Sequence, residues 1–414
     1  MKIEYQYSNQ KHEINVPEDT QVINPNKVEV SNAKSEILNA LKNPKGCKGL
    51  ADFLENKNSI LIIVNDGTRP TPTFSVMEIL KPILNKQKIS VIIATGCHRA
   101  AREDEKKKIL GNTYSSYSSC TTSHDSRDEK SLVFLGTSKN GTPLSVNRAL
   151  FENDGVIIIG SVEPHYFAGY TGGRKAIMPG IASYESIEKN HKMALASEAK
   201  SRNLIGNPVH QDMIDILSLI KDVPIFSIQT VMDSDHQVYK TFAGDLVKSF
   251  DAAIKAADEV FAVSVKEKAD IVISVAKSPM DLDLYQSQKA IDNGKLALKK
   301  GGILIFVAAC KDGIGSQPFY KLLSNSDTPS LVLDKIKKEY QLGYHKAGKM
   351  AEIMEWATIY GVSTLQSEIL KNIFITKFET LEEALEKAIS IKGKEAKIVI
   401  LTDGCVTVPS IVKQ

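Results

Sequence analysis

The sequence predicts an α/β fold made of two α/β domains with mostly parallel sheets. Two observations carry this. Seven short runs rich in β-branched residues recur along the chain, each followed by a polar or glycine-containing turn and a helix-like stretch. Continuous apolar strands alternating with helices mark a parallel sheet covered on both faces. The chain also has 414 residues, 42% apolar and 24% charged, an ordinary globular composition at a length of about two or three domains.

In chain order, Ile3, Tyr5 and Tyr7, then Ile14 and Val16, alternate with polar neighbours and predict an opening hairpin. The strand runs follow at 60–65, 90–95, 155–160, 224–231, 269–276, 301–309 and 396–403. Helical spacing covers 73–85, 101–110, 183–196, 208–220, 246–260, 285–299, 317–324, 330–340, 347–360 and 380–392. The charged stretch 265–270 precedes a fresh strand. It sets the expected boundary between an N-terminal domain over 1–266 and a C-terminal domain over 267–414, whose last residues are candidates to pack back on the first.

Lys and Arg number 52 against 49 Asp and Glu, too balanced to point to nucleic acid or a membrane surface as partner. Five scattered cysteines form no C-x-x-C pair. They suit neither a disulfide framework nor a zinc site, and they fit a reducing, cytoplasmic setting. No signal-peptide pattern opens the chain, and the apolar runs fall far short of the roughly 20 residues that cross a bilayer.

Open α/β sheets bind ligands outside the carboxyl ends of their strands, so the loops there are searched for chemistry. After the first strand come Asp66 and Arg69, followed by Pro70 and Pro72. A guanidinium on a proline-stiffened loop suits a carboxylate or phosphate, although an Asp66–Arg69 pair closing a turn accounts for the same residues. His98 directly follows the second strand, where it is expected to face a cleft. After the third strand, His165, Tyr166 and Phe167 precede Gly169, Gly172, Gly173, Arg174 and Lys175, then Met178, Pro179 and Gly180. Glycines beside cations permit close backbone approach and offer N–H groups to an anion. The spacing is neither a Walker loop nor G-x-G-x-x-G.

His191 lies on the next expected helix, where a lone histidine is usually structural; His124 and His210 are also read as structural. Gln286 and Lys289, three apart, share a helix face and can grip a small carboxylate. No H-E-x-x-H or paired Cys/His set occurs, so a metal held wholly by side chains is not expected. Trp356 is expected in the second domain, near its cleft; with Phe167 and Tyr285 it is a candidate for shaping a substrate pocket.

Together DGTRPTP, GCHR, EPHYFAGYTGGRKAIMPGIAS, NHKM and YQSQK, in this order from residue 66 to residue 289, resemble the nickel-dependent lactate racemase family of 2-hydroxy acid racemases. The resemblance implies an active-site cleft between the two domains. It implies a nickel-pincer nucleotide (nickel pyridinium-3,5-bisthiocarboxylic acid mononucleotide) attached at Lys175, with His191 as the one protein ligand to nickel. His98 and His165 become the acid/base pair, and Arg69, Gln286 and Lys289 the contacts to the substrate carboxylate. Asp66 falls near the cofactor, with Gly172, Gly173 and Arg174 against its phosphate. Cofactor-maturation enzymes are implied partners.

The implied chemistry makes physical sense of the set. The C2–H of a 2-hydroxy acid is too weak an acid for neutral imidazole, because the neighbouring carboxylate opposes a second negative charge. Moving the hydrogen as hydride avoids the carbanion: one histidine takes the hydroxyl proton, and a 2-keto acid forms, turns over and is reduced on its other face. Each hand of substrate needs its own base, hence two histidines. Lactate is the default substrate. Malate or a longer or aromatic acid is an alternative, as are a nicotinamide-dependent 2-hydroxy acid dehydrogenase, against which the missing G-x-G-x-x-G counts, and a non-catalytic nickel-nucleotide or anion-binding protein.

Overall fold

A computed structural model describes residues 1–411. The chain forms two compact units, one of Lys27–Val260 and one of Met1–Asn26 with the chain from Phe261 onward.

The Lys27–Val260 unit is built on a six-stranded sheet in the order Val238–Gly244, Ile225–Met232, Gly155–Ser161, Ser59–Asn65, Lys88–Ala94 and Thr121–Ser123. All neighbours are parallel except the Val238–Gly244 edge, which returns antiparallel. Because helices cover both faces, the central strands are apolar at nearly every position. Ile60, Ile62 and Val64 pack on one face with Val76, Met77 and Leu80 of the helix Thr73–Ile83. Each such fully buried side chain stabilises the fold by about 1.5–3 kcal/mol. From Ser59–Asn65 the chain moves first to one side of the sheet, at Lys88–Ala94, and later to the other, at Gly155–Ser161. The switch point therefore lies between Ser59–Asn65 and Gly155–Ser161, and the crevice beyond their carboxyl ends is the favoured ligand position.

The other unit has a wholly parallel six-stranded sheet in the order Ile375–Phe378, Thr358–Val362, Leu298–Val307, Ala269–Val275, Ile398–Leu401 and Gln21–Ile23. Its edge strand comes from the start of the chain. The opening hairpin forms as expected, with Lys2–Tyr7 against Gln10–Asn15 and a turn at Ser8 and Asn9, both with positive φ. Its Tyr5 and Ile14, with Val16, join the core made by Ile271, Ile273, Ile303 and Ile305.

The first 26 residues belong with the later part of the chain, because only there do Tyr5, Ile14 and Val16 find an apolar face. The late strand Val408–Ile411 pairs with Ala262–Val265 within the same unit.

The helix expected over 347–360 runs from Tyr344 to Met354 and is followed by the strand Thr358–Val362. That strand inserts between Leu298–Val307 and Ile375–Phe378, where β-branched and aromatic side chains pack best. Trp356 sits in the turn between them, its carbonyl accepting from Gly301 N at 2.7 Å. This is the amino end of the sheet.

Candidate active site

At the switch point, Asn65 and Ser161 end adjacent strands. Thr71 Oγ1 donates to Asn65 Oδ1 at 2.8 Å and lies 2.8 Å from Ser161 Oγ, which draws the proline-rich loop back over the sheet edge. In that loop Asp66 Oδ1 accepts from the backbone N (3.2 Å) and Oγ1 (2.6 Å) of Thr68, an Asx turn. Its other oxygen, Oδ2, lies 2.7 Å from Nδ1 of His98. Arg69 instead donates from Nη1 to Glu163 Oε1 at 3.3 Å. Asp66 and Arg69 therefore do not pair with each other through their side chains.

Burial disfavours the Asp66 carboxylate, but the hydrogen bond and charge of His98, the Thr68 hydroxyl and the Arg69 charge outweigh it. Together they hold the group below the usual carboxylate range. A carboxylate can only accept, so Nδ1 of His98 carries a hydrogen, and Nε2 is the nitrogen left to exchange a proton. Asp66 is thus the side-chain partner of His98.

The loop carrying His98 rests on the 178–180 segment through Gly96 N to Gly180 O at 2.9 Å. Beyond Ser161, Pro164–His165 pairs with Gly169–Tyr170. At its tip the backbone N of Ala168 donates to His165 Nδ1 at 3.2 Å. Phe167, 2% exposed, anchors the tip. Its ring meets that of His165 edge-on at 4.6 Å and that of His191 at 5.0 Å, and Lys175 Nζ stands 5.5 Å from its centre.

Gly172 has φ +74 and lies so close to Val162, Gln229 and Ser161 that no Cβ fits. Gly173 N donates to Gln229 Oε1 at 2.8 Å, so that N–H is committed within the protein rather than offered to an anion. Arg174 is also held within the protein. It is 1% exposed, donates to His210 Nδ1 (2.8 Å) and to the carbonyls of Ala168 (2.7 Å) and Tyr170 (3.3 Å), and lies over the Phe250 ring. It braces the loop from beneath while its neighbour Lys175, half-buried, projects toward Phe167.

His191 lies in the last turn of the helix Tyr184–Lys192, which Ser183 caps. Burial, then the charges of Lys175 and His98, push its pKa down to about 3, so the imidazole is neutral. The structure thus brings Asp66, His98, His165, Lys175 and His191 into one neighbourhood of a single unit. His124 and His210 are structural, as expected: His124 bonds Ala182 O through Nε2 at 2.8 Å, and His210 holds Arg174.

Gln286 and Lys289 belong to the other unit, half-buried on the helix Leu284–Gly294 that Asp283 caps. Lys289 Nζ lies 3.4 Å from Met280 Sδ. Lys346, 5% exposed, bonds the Tyr285 carbonyl and sits 3.6 Å from that ring's centre, and no sequence motif marks it. Glu163, Asn190 and Gln229 also hold site residues without standing out in the sequence. Glu163 and Asn190 lie inside matched motifs, and their position was the available signal.

Among the described residues no group of three or more His, Cys, Asp or Glu could hold a metal. What Lys175 and His191 offer is one amine and one neutral imidazole around the same aromatic ring. That donor set fits a metal that brings most of its ligands within a covalently held cofactor.

The lactate racemase N-terminal domain family matches residues 7–203, and the lactate racemase C-terminal domain family matches residues 263–409. A lactate racemase from Thermoanaerobacterium thermosaccharolyticum is 33% identical over 89% of this chain and 88% of its own length. One from Lactiplantibacillus plantarum is 32% identical over 89% of each. The lactate racemase apoprotein structure from the former organism superposes with a TM-score of 0.92 at 32% identity, covering 99% of this chain and all of the other. A Thermotoga maritima protein at 17% identity and TM-score 0.70 shares the fold alone.

Fold and relatives together define an α/β enzyme of the isomerase class. Both domain families and both curated relatives agree on its kind, and the chain belongs to the lactate racemase family.

Proposed function

We propose that this chain interconverts the D and L enantiomers of a short 2-hydroxy acid, lactate by default, by reversible hydride transfer in the presence of a nickel-pincer nucleotide. The observation that carries the reading is the gathering of His165, Lys175 and His191 around Phe167, with His98 held by Asp66 beside the same strand ends. Lys175 is the tether and His191 the nickel ligand. When bound, the cofactor supplies an electron-poor centre able to accept hydride from C2.

The chain's own residues do the rest. His98 takes the hydroxyl proton of one enantiomer at Nε2, and the Asp66 carboxylate balances the charge left on the ring. His165 serves the other enantiomer. Arg69 is the contact this unit supplies to the carboxylate, so that only the reacting end reorients. The protein works in the cytoplasm and receives its cofactor from separate maturation enzymes. The family's printed activity supports lactate as first choice.

The test is a panel of single enantiomers of lactate, malate and longer or aromatic 2-hydroxy acids, incubated with cofactor-loaded protein and resolved by chiral chromatography. The expected result is a racemic product with no net redox change. Accumulation of keto acid only with added NAD, or no turnover of any 2-hydroxy acid by loaded protein, overturns the proposal.

A further inference from the structure

We propose that Asn190 is a positioning residue that locks His191 in the tautomer with hydrogen on Nδ1, making Nε2 the nitrogen presented to a metal; the metal half rests on the nickel reading above.

Asn190 is completely buried. Its Nδ2 donates to Val209 O at 3.0 Å and lies 3.4 Å from Asp212 Oδ2. Both neighbours are oxygens that accept, so the amide nitrogen must face them and Oδ1 must face the other way. On that side Oδ1 lies 3.2 Å from Nδ1 of His191. An amide oxygen has no hydrogen to give, so Nδ1 is the donor, and a neutral imidazole with hydrogen on Nδ1 carries its lone pair on Nε2.

Asp212, fully buried, cannot swing away. Its Oδ1 accepts from Ser138 Oγ and Asn140 Nδ2, both at 2.8 Å, and its Oδ2 from Thr142 Oγ1 at 2.5 Å. The result is a fixed carboxylate–amide–imidazole chain of the kind that orients metal-binding histidines from behind.

The experiment uses the whole apoprotein with ¹⁵N-labelled histidine and long-range ¹H–¹⁵N correlation, the His191 signals being assigned by their loss in His191→Gln. Wild type is expected to show the Nδ1–H pattern, and Asn190→Ala to revert to Nε2–H, with Asn190→Ser as a second variant should the first not fold. Cofactor-loaded Asn190→Ala is expected to keep the Lys175 adduct by intact mass but to retain nickel about 10- to 100-fold less tightly. An Nε2–H pattern in wild type overturns the tautomer claim. An unchanged pattern with unchanged nickel retention in the variants overturns the positioning role. Loaded wild type that binds no nickel overturns the metal half together with the functional reading, whereas the apoprotein spectrum decides the Asn190 half independently.

Discussion

Nδ1 of His98 stands 2.7 Å from Oδ2 of Asp66, and this contact sets both the direction of the imidazole and the charge beside it. Asp66→Asn keeps the shape and removes the charge. Under the proposed mechanism kcat falls more than KM changes, because the lost charge matters most once the ring has taken a proton. Steady-state kinetics on loaded protein measure the split; a pure KM effect counts against it.

The same contact predicts a pH dependence. The folded-state pKa of Asp66 lies below its ordinary value of 3.8. A depressed carboxylate contributes stability that is fully present above the unfolded value and lost as pH falls through the folded one. Urea unfolding of wild type and Asp66→Asn from pH 6 downward should show a constant gap above pH 5 that closes below about 4. A gap that widens on acidification contradicts the assignment.

His98→Ala and His165→Ala are each expected to lower racemisation by about 10²–10⁴-fold while the Lys175 adduct persists in the mass spectrum. Full activity in either variant removes the two-base proposal.

Lys175→Ala is expected to abolish covalent attachment. Its side chain is half-buried and makes no mainstay of the core, so the fold should survive. Intact mass after incubation with the maturation system reads the result directly, and a stable adduct in this variant rules out the tether.

Gly172→Ala places a methyl group 2.5 Å from Val162 Cγ2 and 2.7 Å from Gln229 Oε1 at φ +74. Crowding and a left-handed backbone together should destabilise the unit by about 1–3 kcal/mol or more. Gly141→Ala is the control, with similar φ (+80) but nothing within 4 Å; its smaller loss isolates the crowding in calorimetry.

The periodicity of the chain was enough to read the seven core strands, the opening hairpin and the parallel character of the sheets, because burial on both faces forces uninterrupted β-branched runs. It also placed His98 and the 165–175 loop at strand ends, since connectivity alone puts loops there. It did not reveal the strand Thr358–Val362, whose residues also satisfy a helical spacing until the neighbouring strands claim them.

Residue types and their order determined which side chains could carry chemistry in this protein, because each brings its own donors, acceptors and charge. Only the tertiary structure decided their employment: Asp66 turned to His98 rather than Arg69, Arg174 was buried as a brace, and the first 26 residues joined the far end of the chain. The reason is that a hydrogen bond or apolar contact depends on distance in space, and residues 32 to several hundred positions apart meet only after the sheets have assembled.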